Sequence, residues 1–177
     1  MTGETAALRL FFALWPDSAT RAALAALQVP LAQQARGRLV APKNLHLTMA
    51  FLGMQEAPLL PAILGVLDRM ALPAMTLQVD CYGYFPRARI AWAGIGQPPA
   101  ALLALHAELI AALRQCGIGH DRESAFRPHV TLMRNAAAGG VGAAGPVVWN
   151  APQLALVQST TTARGSVYRV LAQRAAS

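Results

Sequence analysis

The stretch LHLTMAFLG at residues 45–53 and the stretch RPHVTLMR at residues 127–134 share the pattern His-x-Thr. In the first stretch, apolar side chains at every second position, including Phe51, alternate with His46 and Thr48. Successive side chains of a strand point to opposite faces, so the apolar set is expected to pack against a helix. The stretch therefore predicts a strand that presents His46 and Thr48 together on its other face.

The second copy has the same phase, because Val130 and Leu132 alternate with His129 and Thr131. Residue 129 lies 83 positions after residue 46, which is nearly half of the 177-residue chain. Such an offset suggests two similar lobes whose strands face each other across a cleft holding two His and two Thr. The alternative is two ordinary strands that happen to contain His and Thr.

Strand and helix patterns alternate along the rest of the chain. Apolar runs and period-two alternation predict strands at 8–14, 45–52, 75–85, 90–95, 128–133, 154–161 and 167–172. Helical spacing of leucines predicts helices near 18–31, 60–70 and 100–116, and the Ala/Gly-rich segment 136–146 is expected to be a flexible loop. No Gly-rich phosphate-binding loop is present. The pattern favours an α+β fold with antiparallel sheets.

The composition indicates a folded domain. The chain is 55% hydrophobic and 13% charged, which excludes a disordered chain and a coiled coil. A chain of this length buries roughly 70% of its unfolded surface, so it needs neither disulfides nor a metal to fold. No run approaches the ~20 consecutive apolar residues of a bilayer span, and no signal peptide is visible. We expect a cytoplasmic protein with Cys81 and Cys116 as reduced thiols.

The charge is strongly basic. The net charge is +7, and 14 of the 15 basic residues are Arg, with Lys43 the exception. Arg suits bidentate binding of phosphate, and a basic surface favours polyanionic partners. An Arg- and Ala-rich composition of a GC-rich genome explains the same excess, so composition alone does not choose between the two.

The two His-x-Thr stretches resemble the paired HxTx signatures of the two-histidine (2H) phosphoesterases. The most similar branch is the bacterial RNA 2′,3′-cyclic phosphodiesterases, also called 2′-5′ RNA ligases. The resemblance extends over most of the chain, from RLFFA at residues 9–13 to SVY at residues 166–168. It implies one 2H phosphoesterase domain over residues 1–177, built of two lobes of antiparallel sheet with outer helices, related by a pseudo-two-fold axis, with the active-site cleft between them.

The residue types fit hydrolysis of a 2′,3′-cyclic phosphate. In-line attack of water needs a base on one side and an acid for the departing ribose oxygen on the other, and a His pair supplies both near neutral pH. Thr48 and Thr131 can donate hydrogen bonds to the phosphate oxygens. The resemblance implies that His46 is the proton donor and His129 the acceptor that activates water, and that the product is a 2′-phosphomonoester. No carboxylate cluster or His pair at metal-ligand spacing is present, so no metal or other cofactor is expected.

Other residues carry weaker predictions. The resemblance places a phosphate-contacting Arg at Arg134, although an odd offset from His129 requires the strand to end or bulge before it. Arg127 is expected to be a surface charge, His106 a packed helix residue and His120 an exposed loop residue. The aromatic rings that could stack on a base remain unassigned; they are Phe12, Trp15 and Tyr84.

The expected partners are RNA ends or small nucleotide cyclic phosphates, with no membrane and no obligate protein partner, so we expect a monomer. The reverse reaction would form a 2′-5′ linkage. Two alternatives stay open at this point. The same chemistry could serve another small cyclic phosphate or a 2′-5′-linked oligonucleotide, or the chain could be a non-catalytic RNA-binding module.

Overall fold

The computed structural model describes residues 6–121, 125–140, 142–150, 152–163 and 165–176. The strands are β1 (Ala7–Trp15), β2 (Arg38–Leu39), β3 (Leu47–Glu56), β4 (Thr76–Phe85), β5 (Ile90–Gly94), β6 (His129–Arg134), β7 (Gly142–Asn150), β8 (Gln153–Thr162) and β9 (Gly165–Arg174). The helices are α1 (Ser18–Ala26), α2 (Gln28–Gln34), α3 (Leu60–Arg69) and α4 (Ala100–Gln115). Short 3-10 turns occupy Pro42–Asn44 and Ala57–Leu59.

The strands form one antiparallel sheet that divides into two halves. Its order is β7-β4-β5-β6-β3-β1-β8-β9, and β2 pairs with β6 beside this path. The halves meet where β3 lies beside β6, and the register there pairs Leu47 with Val130. Outward from this junction each half has four strands, and the two inner strands are those with the His-x-Thr pattern. The predicted bilobal α+β fold, with antiparallel lobes in pseudo-two-fold relation and a cleft between them, is confirmed.

The helices tie the two halves together. Helix α1 follows β1 in the chain yet contacts β7 of the other half, whereas α4 follows β5 and contacts β3. Asp17 caps α1 by accepting a hydrogen bond from the Thr20 amide at 2.7 Å, which satisfies one of the free N–H groups of the first turn. Within the described ranges, no helix has the length and apolar character needed to span a bilayer.

Strand β1 is buried on both faces, which explains its uninterrupted apolar sequence. Leu10, Phe12 and Leu14 belong to the main core, and all three are fully buried. Phe11 and Ala13 point to the other face and join a second, smaller cluster on the cleft side. Burial of a side chain of this size contributes roughly 1.5–3 kcal/mol. The strand next to the first His-x-Thr strand is therefore firmly held.

The prediction of a flexible loop over residues 136–146 was wrong for its second part, because β7 begins at Gly142. This strand pairs with β4 and buries Val147 and Trp149. The glycines before it serve close packing: a Cβ at Gly139 would lie 2.4 Å from the Cβ of Tyr84. The sequence resembles a linker because small residues are needed where the backbone crosses tyrosine rings.

Candidate active site

His46 lies directly before β3 and is held by its own backbone. Its Nδ1 lies 2.6 Å from the carbonyl oxygen of Asn44. A carbonyl only accepts, so Nδ1 carries the proton and donates it. The Nε2 atom of the neutral ring is then an acceptor, and the hydroxyl of Thr48 lies 3.1 Å from it. The backbone thus fixes the tautomer and leaves Nε2 as the nitrogen that exchanges a proton.

His129, the first residue of β6, has the same arrangement. Its Nδ1 lies 2.7 Å from the carbonyl oxygen of Arg127, two residues earlier, as Asn44 precedes His46 by two. The donated Nδ1–H again assigns the exchangeable proton to Nε2. Both imidazoles line one cavity between the two halves of the sheet. The predicted pairing of the two His side chains in a cleft is what the geometry provides.

Three aromatic rings surround His46. The ring of Phe11 has its centroid 4.9 Å away, that of Trp15 lies nearly parallel at 5.6 Å, and that of Tyr168 is edge-on at 5.3 Å. The pKa of His46 is lowered from 6.5 to about 4, chiefly by burial among these rings; the hydrogen bond to Asn44 opposes this, and the charge of Arg134, with that of His129 when it is protonated, acts in the same direction as burial. In the free protein His46 is therefore neutral at neutral pH.

His129 has a different set of neighbours. Phe85 lies edge-on at 5.0 Å and Trp92 is tilted at 5.8 Å between centroids. Trp92 fits here because Gly83 lies under its ring: a Cβ at position 83 would be 2.0 Å from the indole Cζ2. Any side chain at this glycine displaces the indole that packs against His129.

The two threonines follow the strand alternation. Thr48 is half-buried and lines the cavity beside His46. Thr131 is also half-buried, and the residues on either side of it, Val130 and Leu132, are fully buried on the opposite face. Each hydroxyl therefore shares a face with the His two residues before it, as predicted.

Arg134 reaches the cavity through a β-bulge. Opposite β5, the register steps from Thr131 paired with Trp92 to Met133 paired with Ala91, so Leu132 is the extra residue. The bulge reverses the strand phase after Thr131, and Arg134 consequently lines the same cavity as His129. The odd offset between His129 and Arg134 is therefore explained by the bulge at Leu132.

The equivalent position in the first half is Phe51, for which the sequence prediction was wrong. Strand β3 also bulges, at Met49, because Ala13 pairs with Thr48 and Phe12 with Ala50. Phe51 is therefore turned from the expected core face to the cavity, where the guanidinium of Arg9 lies 5.0 Å from its ring centroid. Strict alternation cannot reveal a bulge.

The cavity has a volume of about 680 Å³ and is strongly cationic. Among the described residues that line it, one is an acid, Asp121, and five are arginines: Arg9, Arg38, Arg114, Arg127 and Arg134. The sequence had singled out only the last two of these. A guanidinium donates a planar set of N–H groups that matches phosphate oxygens, so this lining is suited to a phosphorylated ligand.

Several other predictions were made for single residues. His106 is half-buried and stacks on Phe126, as expected for a packed position, but His120 is half-buried and lines the cavity instead of being exposed. Arg127 is exposed, as expected, and its carbonyl holds His129.

The three aromatic residues left unassigned also have places. Phe12 is in the core, Tyr84 donates to the carbonyl of Ala136 at 2.8 Å, and Trp15 stacks on His46. In the described ranges no three His, Cys, Asp or Glu side chains gather as metal ligands.

Comparison with known proteins identifies relatives of this arrangement. The chain is 35% identical to the RNA 2′,3′-cyclic phosphodiesterase of Escherichia coli over 128 residues, which cover 72% of each chain. It is 30% identical to the enzyme of the same name from Thermus thermophilus over 93% of this chain and 88% of that one. Among solved structures, E. coli LigT complexed with 3′-AMP superposes with a TM-score of 0.81 at 30% identity, covering 96% of this chain and 98% of that chain.

The family model of the 2′-5′ RNA ligase superfamily matches residues 15–154, a range that contains both His-x-Thr patterns, Arg134 and the strands that carry them. With these matches and the two facing imidazoles, the chain belongs to the 2′-5′ RNA ligase superfamily of two-histidine phosphoesterases.

Proposed function

We propose that this protein hydrolyses 2′,3′-cyclic phosphodiester ends of RNA to 2′-phosphomonoesters by acid–base catalysis with its two His side chains. The observation that carries the proposal is the matched pair of imidazoles. Each donates Nδ1–H to the backbone carbonyl two residues earlier, and each lines the same cationic cavity from a different half of the sheet.

The reaction uses one imidazole on each side of the phosphorus atom. His129 accepts a proton from the attacking water, whose oxygen forms the new bond to phosphorus. His46 gives its Nε2 proton to the 3′ oxygen as the bond from phosphorus to that oxygen breaks. Thr48, Thr131 and Arg134 donate hydrogen bonds to the non-bridging oxygens, where the negative charge resides. A positioned acid or base of this kind contributes about 10²–10⁴-fold each.

The low pKa of His46 must be reconciled with a donor role. In the free protein no anion offsets the effect of burial on this ring, and the neighbouring charge of Arg134 acts in the same direction as burial. A bound phosphate brings the missing anion next to Nε2, and an adjacent negative charge raises the pKa of an imidazole. The donor assignment therefore requires that substrate binding protonates His46. If binding does not, the roles are reversed and His46 is the base.

The relatives support the choice of substrate. Two of them are named RNA 2′,3′-cyclic phosphodiesterases, and LigT has been crystallised with the nucleotide 3′-AMP. The cationic cavity of this chain fits the same class of ligand. With a 5′-hydroxyl in place of the attacking water, the same residues join a 2′,3′-cyclic end to that hydroxyl through a 2′-5′ linkage as the bond from phosphorus to the 3′ oxygen breaks. The protein acts as a monomer in the cytoplasm, without a metal ion.

The test is hydrolysis of a short RNA that ends in a 2′,3′-cyclic phosphate, with the product isomer identified by NMR or by comparison with 2′- and 3′-phosphate standards. We expect the 2′-phosphate and an unchanged rate in EDTA. A 3′-phosphate product would mean that the other ribose oxygen departs. Loss of activity in EDTA with recovery on adding a divalent ion would overturn the metal-free mechanism.

A further inference from the structure

The cavity continues beyond the two His side chains to a wall formed by α4. His106, Ile110 and Arg114 lie on this wall at intervals of four residues, so they occupy one face of the helix. His106 is stacked on Phe126, with ring centroids 3.8 Å apart and planes within 5°. This wall carries a cation and an aromatic pair, and the proposed reaction uses neither.

The α4 wall is connected to β3 at Phe51. The backbone amide of Asp121 donates to the carbonyl of Phe51 at 2.8 Å, which fixes the segment after α4 against the strand. Arg9 extends over the ring of Phe51. Phe51 packs against the cluster of Phe11, whose ring centroid lies 4.9 Å from that of His46. The Phe51 region is therefore separated from the His46 ring by one aromatic side chain.

The charge of the cavity exceeds what one phosphate needs. A nucleoside 2′,3′-cyclic phosphate carries one negative charge, whereas five arginines and one aspartate line the described part of the cavity. Arg134 and Arg38, paired across β2 and β6, lie at the reaction end. Arg9 and Arg114 lie on the side of Phe51 and α4. Cations placed away from the reacting phosphate indicate a second anionic group in the ligand.

We infer that this second region, made of Arg9, Phe51, His106 and Arg114, is a subsite for the nucleotide on the 5′ side of the cyclic end. Arg9 and Arg114 bind the internucleotide phosphate, and the aromatic faces accept the base by stacking, which is tolerant of sequence. This inference rests on the proposed function and sharpens it. The substrate is an RNA end of at least two nucleotides, and free nucleoside cyclic phosphates are poor substrates.

The test compares a dinucleotide that ends in a 2′,3′-cyclic phosphate with the nucleoside 2′,3′-cyclic phosphate of the same terminal base. We expect kcat/KM to be at least about tenfold higher for the dinucleotide, because one or two hydrogen bonds to a charged group contribute a difference of that size. Arg9→Gln and Arg114→Gln should each lower kcat/KM for the dinucleotide about tenfold and leave the mononucleotide value within about twofold. Both side chains are exposed, so neither substitution should prevent folding.

Arg169→Gln is the matched control, because Arg169 is an exposed arginine on β9 adjacent to Tyr168 and points away from the cavity. Arg169→Gln should leave kcat/KM unchanged for both substrates. A second measure is salt dependence: each cavity variant should reduce the slope of log kcat/KM against log salt by about 0.7 for the dinucleotide.

Equal kcat/KM values for the two wild-type substrates would overturn the subsite. A variant that lowers kcat/KM equally for both substrates would also overturn it, since the substituted residue would then bind the terminal nucleotide itself. If no cyclic phosphate is hydrolysed, the proposed function fails. Calorimetric binding of a dinucleotide 2′-phosphate against a nucleoside 2′-phosphate then decides the subsite separately: tighter dinucleotide binding that Arg114→Gln abolishes supports it, and equal binding refutes it.

Discussion

The two halves of the sheet carry the same motif in different surroundings. Around His46, three aromatic rings close the site, and burial lowers the pKa of the imidazole to about 4. Around His129 the described residues include the rings of Phe85 and Trp92, and the same strand delivers Arg134 to the cavity. The position equivalent to Arg134 in the first half is an aromatic residue, Phe51. The two motifs share the backbone hydrogen bond to Nδ1 and a bulge three residues after the His, whereas the side chains around them differ.

This difference shows how a repeated pattern can yield two unlike groups. Both imidazoles have the same tautomer, because each donates Nδ1–H to a carbonyl. Acid–base catalysis on opposite sides of a phosphate nevertheless needs one protonated and one neutral ring. Burial among aromatic rings and the charge of Arg134 lower the pKa of His46, so the shared backbone hydrogen bond does not by itself set the proton affinity of each imidazole.

The largest expected effect comes from removing either imidazole. His46→Ala and His129→Ala should each lower kcat on a cyclic-phosphate RNA by at least about 100-fold, because each removes one proton-transfer group. Steady-state hydrolysis checks this, with thermal unfolding of each variant as the control for folding. Retention by either variant of more than about a tenth of wild-type activity would contradict the pairing.

Replacing Arg134 should have the next largest effect. Arg134→Gln removes a charged donor to the phosphate and should lower kcat/KM by about 10- to 100-fold. Arg134→Lys keeps the charge but loses the planar set of donors, so it should recover part of the loss. The Gln variant should also raise the pKa of His46, since the Arg134 charge lowers it. An unchanged kcat/KM in Arg134→Gln would place this guanidinium outside the reaction.

The two threonines should contribute less and nearly equally. Thr48→Val and Thr131→Val each delete one neutral hydroxyl at the phosphate, so kcat/KM should fall about tenfold in each. Thr48 also donates to Nε2 of neutral His46 in the free protein, so Thr48→Val alone should shift the pH dependence. Identical pH profiles for the two variants would show that this hydrogen bond does not influence His46.

The last expected effect concerns stability. The pKa of His46 is about 4 in the folded chain against an ordinary value of 6.5, so between these pH values the unfolded chain binds a proton that the folded chain does not. Stability therefore falls as the pH drops from 6.5 towards 4, and His46→Gln removes this contribution. The Tm of His46→Gln should decline less steeply over that range than the Tm of the wild type. Parallel declines would contradict the buried, neutral state of His46.

The repeated strand pattern was enough to predict that the two imidazoles line one cavity and that each Thr shares a strand face with its His. Period-two alternation places residues two apart on one face, and neither pattern is interrupted between its His and its Thr. Beyond the threonines the prediction failed for Phe51, because the bulge at Met49 changes the phase of β3 and nothing in the sequence marks it. The bulge at Leu132 was indicated only by the odd offset of Arg134 from His129.

The other arginines of the cavity could not be predicted for a different reason. Arg9, Arg38 and Arg114 come from β1, β2 and α4, and only the tertiary fold brings these elements to one cleft. The composition of the segment before β7 predicts a loop, because it does not distinguish glycine used for flexibility from glycine used for close packing.

The most direct test of the donor and acceptor roles uses a leaving group that needs no proton. A suitable substrate is a 3′-deoxynucleoside 2′-nitrophenyl phosphate, in which water attacks phosphorus and nitrophenoxide departs. The quantity to measure is kcat/KM of His46→Ala and of His129→Ala on this diester, each divided by the wild-type value. This ratio is then compared with the same ratio for the cyclic phosphate. We expect His46→Ala to regain most of its lost activity and His129→Ala to regain little. Equal recovery, or recovery of His129→Ala alone, would show that His46 is not the proton donor.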